Sequence, residues 1–289
     1  MEEKDASNFI ARDFPQVEVK QIQKIGEGLG NVAFEINQDI IFRFPKKPRN
    51  LEELRREIPI TELVSKYSHI PVPKFEFIAP ANSYVGYRKL KGEPLIYARS
   101  KFTNWSKFSE QVGLFLRSIN DIPLSLFESL EINHEPRLID DDWLESAKKS
   151  FNAIQSLIPS QHLSYIEKFF SNPIPSSIWE PVFSHNDLGI EHILVDDNSV
   201  SGIIDWGDTA ITDPASDFGR IYRDLGEEIL NTTLDHYSLK EGLVRKGMIE
   251  RAMFYGKCSV FESIEFGVNY KKQAYIEMGL DSLRWMFNG

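Results

Sequence analysis

Carboxylates that follow short apolar runs are the residues of this sequence best suited to chemistry. Residues 182–208 read VFSHNDLGIEHILVDDNSVSGIIDWGD, with aspartates at the edges of strand-like runs. Such residues either form turns or hold something positive, because carboxylate oxygens are preferred ligands of Mg²⁺. Asp196, Asp197 and Asn198 together predict a turn between two strands. Asp187 and Asp205 have no comparable turn explanation, and we interpret them as functional.

Glycines interrupt the first strand-like segments. Gly26, Gly28 and Gly30 precede NVAFEIN, and glycine lets a backbone approach a phosphate closely. A dinucleotide-binding turn would be followed by a helix, but NVAFEIN alternates polar and apolar residues and predicts a strand. A glycine turn between two strands covers phosphates in protein kinases. A cation is then expected on the next strand, where IIFRFPK offers Arg43 and Lys46, although Arg43 would equally suit an edge position facing solvent.

The segment around His185 carries the more specific signal. His185-Asn186-Asp187 has the H-x-D form of a kinase catalytic loop, and Asp205 in IIDWG stands where kinases place a metal-binding aspartate. The chain resembles the aminoglycoside phosphotransferase family, and within it most nearly the 2″-phosphotransferases. The motifs that carry this resemblance are GEGLGNVAFEIN, IFRFPK, KLKGEPL, HNDLGIEHILVD and GIIDWGDTAITDPASDF. It covers about residues 20–225 and thins toward the C-terminus.

The resemblance implies phosphoryl transfer from ATP or GTP to a hydroxyl, with a role for each residue of this segment. Asp187 would accept the proton of the attacked hydroxyl, with His185 and Asn186 supporting the loop. Asp205 would bind Mg²⁺. His192 stands five residues after Asp187, where a second Mg²⁺ contact is expected. Nitrogen is a poor ligand for Mg²⁺. The alternatives to a direct contact are that His192 acts through a water or through its hydrogen bonds.

The resemblance also implies contacts with the nucleotide. Glu57 would pair with Arg43, which stands where the family more often has Lys, and a guanidinium can still clamp phosphate. Lys46 would share this task, while Pro59 close behind Glu57 is expected to bend or restart the helix that carries it. The nucleotide base would meet the segment that links the two lobes, with Tyr87 at the back of the pocket and backbone groups of two neighbours as hydrogen-bonding partners, Lys89 and Leu90.

An acidic stretch follows Asp205 and predicts the acceptor site. Aminoglycosides carry several ammonium groups, which a cleft lined by carboxylates would attract. The candidate acceptor-binding residues are Asp208, Asp217, Asp224, Glu227 and Glu228. Arg220 and Arg223 are the basic residues of this stretch, and Arg223 interrupts its acidic run, which indicates either a narrower aminoglycoside range or a different acceptor. A macrolide would need a more apolar pocket, and residues 252–266 would line either kind of site or form a core helix.

The elements that must position these residues fall into two parts. Residues 15–45 predict three antiparallel strands, residues 51–67 a helix, and two further strands complete a five-stranded sheet before residue 91. From residue 92 onward helices dominate, among them an amphipathic helix over 108–121 and two helices over 140–171, with three short strands around the aspartate-rich segment. The sequence predicts an α+β, bilobal, protein-kinase-like fold, with an N-lobe over 1–91 and a helical C-lobe over 92–289.

Composition narrows the class of partner. The formal net charge is 33 − 43 = −10, which argues against a nucleic-acid backbone as partner and suits a cationic small molecule. No apolar run is long enough for a membrane span or a signal peptide, and the lone Cys258 suits a reducing compartment. We expect a cytoplasmic monomer that phosphorylates an aminoglycoside and thereby confers antibiotic resistance. The alternatives are a kinase of a macrolide or another hydroxylated metabolite, and a nucleotide-binding module without catalysis.

Overall fold

The computed structural model describes residues 1–28, 30–130, 132–134, 141–176, 179–237 and 242–288. The strands in this part of the chain are β1 (Ile22–Glu27), β2 (Asn31–Ile36), β3 (Ile40–Pro45), β4 (Phe75–Ile78), β5 (Val85–Arg88), β6 (Glu93–Pro94), β7 (Asn133–His134), β8 (Val182–Ser184), β9 (Ile193–Asp196), β10 (Ser199–Ile203) and β11 (Ala210–Thr212). The helices are α1 (Glu3–Asp13), α2 (Pro48–Val64), α3 (Leu95–Ala98), α4 (Trp105–Asn120), α5 (Asp141–Ile154), α6 (Ser160–Ser171), α7 (Ala215–His236), α8 (Leu243–Tyr270) and α9 (Gln273–Met286).

The N-terminal part is an antiparallel sheet in the order β1-β2-β3-β5-β4, with α2 inserted between β3 and β4. Asn37 and Gln38 turn the chain between β2 and β3 with φ of 54° and 60°, the left-handed pair of angles that two-residue hairpins favour. The predicted five-stranded sheet with one inserted helix is confirmed. The predicted first strand is shorter than expected, because it begins at Ile22 instead of near residue 17.

Helix α1 was not predicted from its acidic, polar sequence. Its Ala6 and Ile10 are fully buried, and Phe14 just after it packs against Phe42 and Phe77 of the sheet. The spacing of these apolar residues by four is the helical signal that the surrounding charges obscure. α1 therefore completes the core on one face of the sheet.

Helix α2 runs without interruption through Pro59, so the predicted restart at that proline was wrong. A proline inside a helix loses one backbone hydrogen bond and costs about 3 kcal/mol. Here Leu54, Glu57, Ile60 and Val64 lie buried on one side of the helix. Burial of this face offsets the cost of the proline and keeps Glu57 turned toward the sheet.

The C-terminal part packs helices α3–α9 around short strands in two small sheets, with the orders β10-β9-β6 and β7-β11-β8. The β9–β10 hairpin turns at Asp197 and Asn198, whose φ angles are 47° and 57°, as predicted for this turn. Strand β8 ends just before His185, and β10 ends just before Asp205. A backbone hydrogen bond from the Ile204 N–H to the His192 carbonyl, at 3.0 Å, joins the end of β10 to the residue just before β9.

The α+β fold with a β-rich N-terminal part and a helical C-terminal part is therefore confirmed. The exact division at residue 91 stays a prediction. Across the described residues, no helix combines the length and apolar character needed to cross a membrane.

Helices α7 and α8 approach each other through two glycines. A Cβ on Gly256 would lie 2.7 Å from the Gly219 carbonyl oxygen, and a Cβ on Gly219 would lie 2.7 Å from Cβ of Tyr255. Real side chains essentially never approach backbone this closely. Glycine at both positions lets the backbones of α7 and α8 approach each other closely. This close approach determines which groups the side chains of α7 can contact.

We predict that Gly256→Ala lowers stability, although Gly→Ala inside a helix ordinarily raises it by about 1 kcal/mol. The added methyl group must push α8 away from the α7 backbone, at an expected cost of about 1–3 kcal/mol. Urea unfolding measures the change, with Glu250→Ala at an exposed position of α8 as the control. A Gly256→Ala protein as stable as the parent would contradict this account of the packing.

Candidate functional site

A cleft of about 590 Å³ lies between the glycine turn, α2 and the loop that follows β8. Its lining combines nucleotide-side and acceptor-side candidates from both parts of the fold. Those foreseen from the sequence are Gly26, Gly28, Gly30, Arg43, Glu57, Asp187, His192, Asp205 and Asp208. Residues far apart in the chain thus meet around one cavity of a size that accommodates small molecules.

Arg43 and Glu57 form a buried ion pair beneath the glycine turn, with 2.5 Å between Nη1 and Oε1. Nη2 of Arg43 also lies 3.5 Å from Oδ1 of Asp205, and Glu57 Oε1 accepts the Trp206 N–H at 3.4 Å. Burial disfavours the guanidinium charge, but Glu57 and Asp205 together raise the pKa of Arg43. The strand cation therefore faces the cleft instead of solvent, and its partner is the glutamate that the family resemblance indicated.

Lys46 holds the glycine turn. Its ammonium donates to the Gly28 carbonyl at 2.9 Å and pairs with Glu27 at 2.7 Å. A Cβ on Gly26 or Gly28 would meet no atom within 4 Å, so packing against neighbours does not require glycine there. The turn thus presents open backbone toward the cleft, as close approach to a phosphate requires.

The segment that links the two parts of the fold differs in part from the contacts expected with a nucleotide base. Tyr87 is buried, packs edge-on against Phe75, and burial raises its pKa to about 12. The Lys89 N–H already donates to the Asp39 carbonyl at 2.7 Å, and its ammonium pairs with Glu35. The Lys89 N–H is therefore used within the protein. Its carbonyl and the backbone of Leu90 stay as predicted contacts.

His185 is a buried, neutral support of the loop after β8. Its Nδ1 accepts the Asp187 N–H at 3.3 Å, so its Nε2 carries the hydrogen and donates to the Ile204 carbonyl at 3.1 Å. Burial and, after it, the nearby His192 lower the pKa of His185 to about 4. Asn186 adopts a left-handed φ of 67° and donates to the Asp208 carbonyl at 3.1 Å. Both residues occupy the supporting positions that the sequence suggested.

His192 lies between the two candidate functional aspartates. Its Nδ1 is 2.8 Å from the Asp187 carbonyl oxygen and 3.5 Å from Asp187 Oδ2, and its Nε2 is 3.5 Å from Asp205 Oδ2. Burial opposes the imidazolium charge, but Asp187 and Asp205 raise the pKa of His192 to about 9. The geometry therefore places His192 between two carboxylates, where it can act through the hydrogen bonds that the sequence left open, and its part in binding Mg²⁺ stays a prediction.

Asp205 fits a magnesium ion better than His192 does. Its side chain is 51% exposed and opens into the cleft, and its backbone is held in a left-handed conformation with φ of 65°. Mg²⁺ is commonly bound by one or two carboxylates together with substrate phosphates and water. Within the described ranges, no group of three or more His, Cys, Asp or Glu side chains is arranged to hold a metal, so any Mg²⁺ would draw ligands from the nucleotide.

Asp217 and Asp224 brace the loop instead of facing an acceptor. Both are fully buried. Asp217 accepts the N–H groups of His185 at 3.0 Å and Leu188 at 3.4 Å, and Asp224 accepts that of Ile190 at 3.0 Å. They lie seven residues apart, which places them on one face of α7. The prediction of acceptor binding was wrong for both, because this face turns inward.

The remaining acidic candidates divide between the cleft and the surface. Asp208 lines the cleft, where desolvation and the carboxylates of Asp187 and Asp205 raise its pKa to about 6. Glu227 and Glu228 follow a break in α7 at Gly226, are exposed, and do not line this cleft. The assignment of Glu227 and Glu228 to the acceptor site is therefore wrong, because neither residue lies at the cleft.

Several lining residues were missed as site residues. They come from the loop, α7, α8 and α9: Glu191, Arg220, Arg223, Glu262, Ser263, Phe266 and Tyr275. Residues 252–266 were left open between core helix and site wall, and the structure shows both, since Phe261 is fully buried while Glu262 and Phe266 reach the cleft. In the sequence, the alternation of acidic and basic residues along α7 was the signal that could have identified Arg220 and Arg223 as site residues.

Comparison with known proteins agrees with this geometry. A family model described as "Phosphotransferase enzyme family" matches residues 21–251. The complex of APH(2″)-IIIa with GDP and kanamycin has a similar structure, with a TM-score of 0.77 and 23% identity over 97% of each chain. The macrolide 2′-phosphotransferase MphH from Brachybacterium faecium has a TM-score of 0.65 and 16% identity, over 96% of this chain and 98% of that one.

The similarity to one further protein covers a smaller part of the chain. The uncharacterized protein YcbJ of Bacillus subtilis (strain 168) is 29% identical over 100 residues, which are 34% of this chain and 33% of that protein. The match thus spans about a third of YcbJ. At these identities the solved structures establish the fold shared with this chain.

We predict that Glu57→Ala destabilises the protein by about 3–5 kcal/mol, because it leaves the Arg43 guanidinium buried without its closest partner. Urea unfolding is the measurement. Glu62→Ala removes a glutamate from the exposed side of the same helix and is expected to change stability by less than about 0.5 kcal/mol. Equal effects of the two substitutions would contradict the structural importance of the pair.

We predict a pH dependence from Asp217. Burial raises the pKa of this carboxyl to about 7, although the loop N–H groups oppose the shift. Its stabilising contribution is therefore complete below about pH 4, the unfolded value, and is lost as pH rises through about 7. The unfolding free energy of the wild type minus that of Asp217→Asn should fall by about 2–4 kcal/mol from pH 4 to pH 8. The same difference for Asp196→Asn, at the exposed end of β9, is the control; a flat Asp217 profile would refute the assignment.

Proposed function

The chain belongs to the phosphotransferase enzyme family, and on that premise we propose that it transfers the γ-phosphoryl group of ATP or GTP to a hydroxyl of an aminoglycoside. The observation that carries the proposal is the placement of Asp187 and Asp205 on either side of His192, both open to the cleft that Arg43 and the glycine turn also line. Phosphoryl transfer depends on positioning and charge neutralisation, and these groups supply both.

Each residue acts through its position in the cleft. The backbone of the glycine turn covers the phosphates, and Arg43, fixed by Glu57, faces them from below. Mg²⁺ bound through Asp205 and the nucleotide would neutralise charge on the transferred group. The Asp187 carboxylate orients the acceptor hydroxyl and accepts its proton, while His185 and Asp217 hold the loop.

The acceptor assignment rests on charge at the outer part of the cleft. Asp208 makes no ion pair with a described residue, and Glu262 lines the same cavity; both suit ammonium groups. The family resemblance favours a 2″ hydroxyl, and an aminoglycoside phosphotransferase complex with kanamycin shares the fold. In this proposal the enzyme acts as a cytoplasmic monomer in antibiotic resistance.

A second candidate acceptor is a macrolide or another hydroxylated metabolite. Two observations favour it: Phe266 and Tyr275 add apolar surface to the cleft, and Arg223 neutralises Asp224 and Glu191. A macrolide 2′-phosphotransferase also shares the fold. A larger apolar ligand with fewer charges would suit such a wall.

The deciding experiment assays phosphoryl transfer to a panel of aminoglycosides, macrolides and simple amino alcohols, with ATP and GTP separately. We expect turnover of an aminoglycoside, and we expect Asp187→Asn to lower kcat by about 10²–10⁴-fold while nucleotide binding persists. Asp196→Asn is the matched control, because it makes the same change at the exposed end of strand β9. Turnover of macrolides alone would favour the second candidate. Nucleotide binding without transfer to any acceptor would indicate a module without catalysis.

A further inference from the structure

Arg220 lies against the carboxylate that the proposed reaction uses. Its Nη2 is 3.1 Å from Asp187 Oδ1, while the other oxygen of Asp187 faces the ring of His192 at 3.5 Å. The Arg220 side chain is 18% exposed and lines the cleft. A guanidinium thus lies within the cleft, directly against the proposed base.

Arg220 differs in this respect from its neighbour Arg223. The Arg223 side chain is 2% exposed and is closely paired with Asp224 at 2.5 Å and with Glu191 at 3.1 Å. Its charge is therefore satisfied within the protein. Arg220 pairs only with Asp187 among the described residues, and a guanidinium has five N–H donors. Donors are left over for a molecule that enters the cleft.

We propose that Arg220 determines acceptor specificity by excluding an ammonium group from the position beside the reacting hydroxyl. Without this arginine, a cationic acceptor could place an ammonium against the Asp187 carboxylate. Here that ammonium would meet a like charge, which is unfavourable at close range. The free N–H donors instead suit an ether, hydroxyl, carbonyl or carboxylate oxygen.

This inference, which rests on the proposed function, names the chemistry of the acceptor more closely. The reacting hydroxyl is flanked by neutral or hydrogen-bond-accepting groups. Ammonium groups, where the acceptor has them, lie further out, toward Asp208 and Glu262 on the cleft wall. Asp208 is suited to this role because it makes no ion pair with a described residue.

The test compares binding of kanamycin with that of fully N-acetylated kanamycin, which keeps the hydroxyl pattern without the charges. Calorimetric titrations use the full chain with Mg²⁺ and GDP, for the wild type, Arg220→Gln, Arg220→Lys and Arg49→Gln. Arg49 also lines the cleft, on the nucleotide side with an 81% exposed side chain, so its substitution removes the same charge away from Asp187. Arg220→Met, which keeps the aliphatic stem, is a second neutral variant in case Arg220→Gln does not fold.

We expect Arg220→Gln to tighten kanamycin binding by about tenfold relative to the acetylated compound. Arg220→Lys, which retains the charge, should resemble the wild type, and Arg49→Gln should change the ratio by less than about twofold. Neutral variants at position 220 that leave the ratio unchanged, or that bind neither compound, would overturn the inference. These titrations need no turnover. If the protein phosphorylates none of the acceptor panel, the proposed function is refuted, and the titrations still decide the role of Arg220.

Discussion

Buried carboxylates on α7 set the shape of the loop that carries Asp187. Asp217 and Asp224 accept backbone N–H groups at both ends of this loop, and Arg220 contacts Asp187 between them. An unpaired carboxylate in the protein interior would be costly, so the loop must stay where its N–H groups reach these oxygens. The position of α7 in turn depends on its close contact with α8 at Gly219 and Gly256. The packing of α7 against α8 therefore also constrains the geometry of the loop that carries Asp187.

Charge around the cleft is arranged in alternation. Arg43 lies between Glu57 and Asp205, His192 between Asp205 and Asp187, and Arg220 beside Asp187. A cation thus separates each carboxylate of this series from the next, which reduces the repulsion between them. The same arrangement links the two parts of the fold, since Arg43 on β3 reaches Asp205 after β10. Asp208 stands at the outer end of this series, where it lacks a described ionic partner and its pKa rises to about 6.

The errors of the sequence-based interpretation share one cause. The residues grouped with Asp208 because they are acidic and close in sequence were Asp217, Asp224, Glu227 and Glu228. A helix distributes such residues around its axis, and the packing of α7 decides which of them turn inward. Pro59 was similarly judged by local propensity, while the buried face of α2 overrides it. Arg220 was noticed only as a basic residue in an acidic stretch, although it contacts the proposed base.

The sequence by itself determined the elements and the chemistry-bearing pairs. Alternation and helical spacing located the five-stranded sheet, and the spacing of Asp187 and Asp205 after short strands marked the centre of the site. Those signals are local, because they depend on residues within a few positions of each other. The tertiary structure alone decided which carboxylates face the cleft, which support the loop, and which cation stands beside Asp187. These outcomes depend on contacts such as Asp187 with Arg220, more than thirty positions apart along the chain, and no local pattern encodes a distance of that kind.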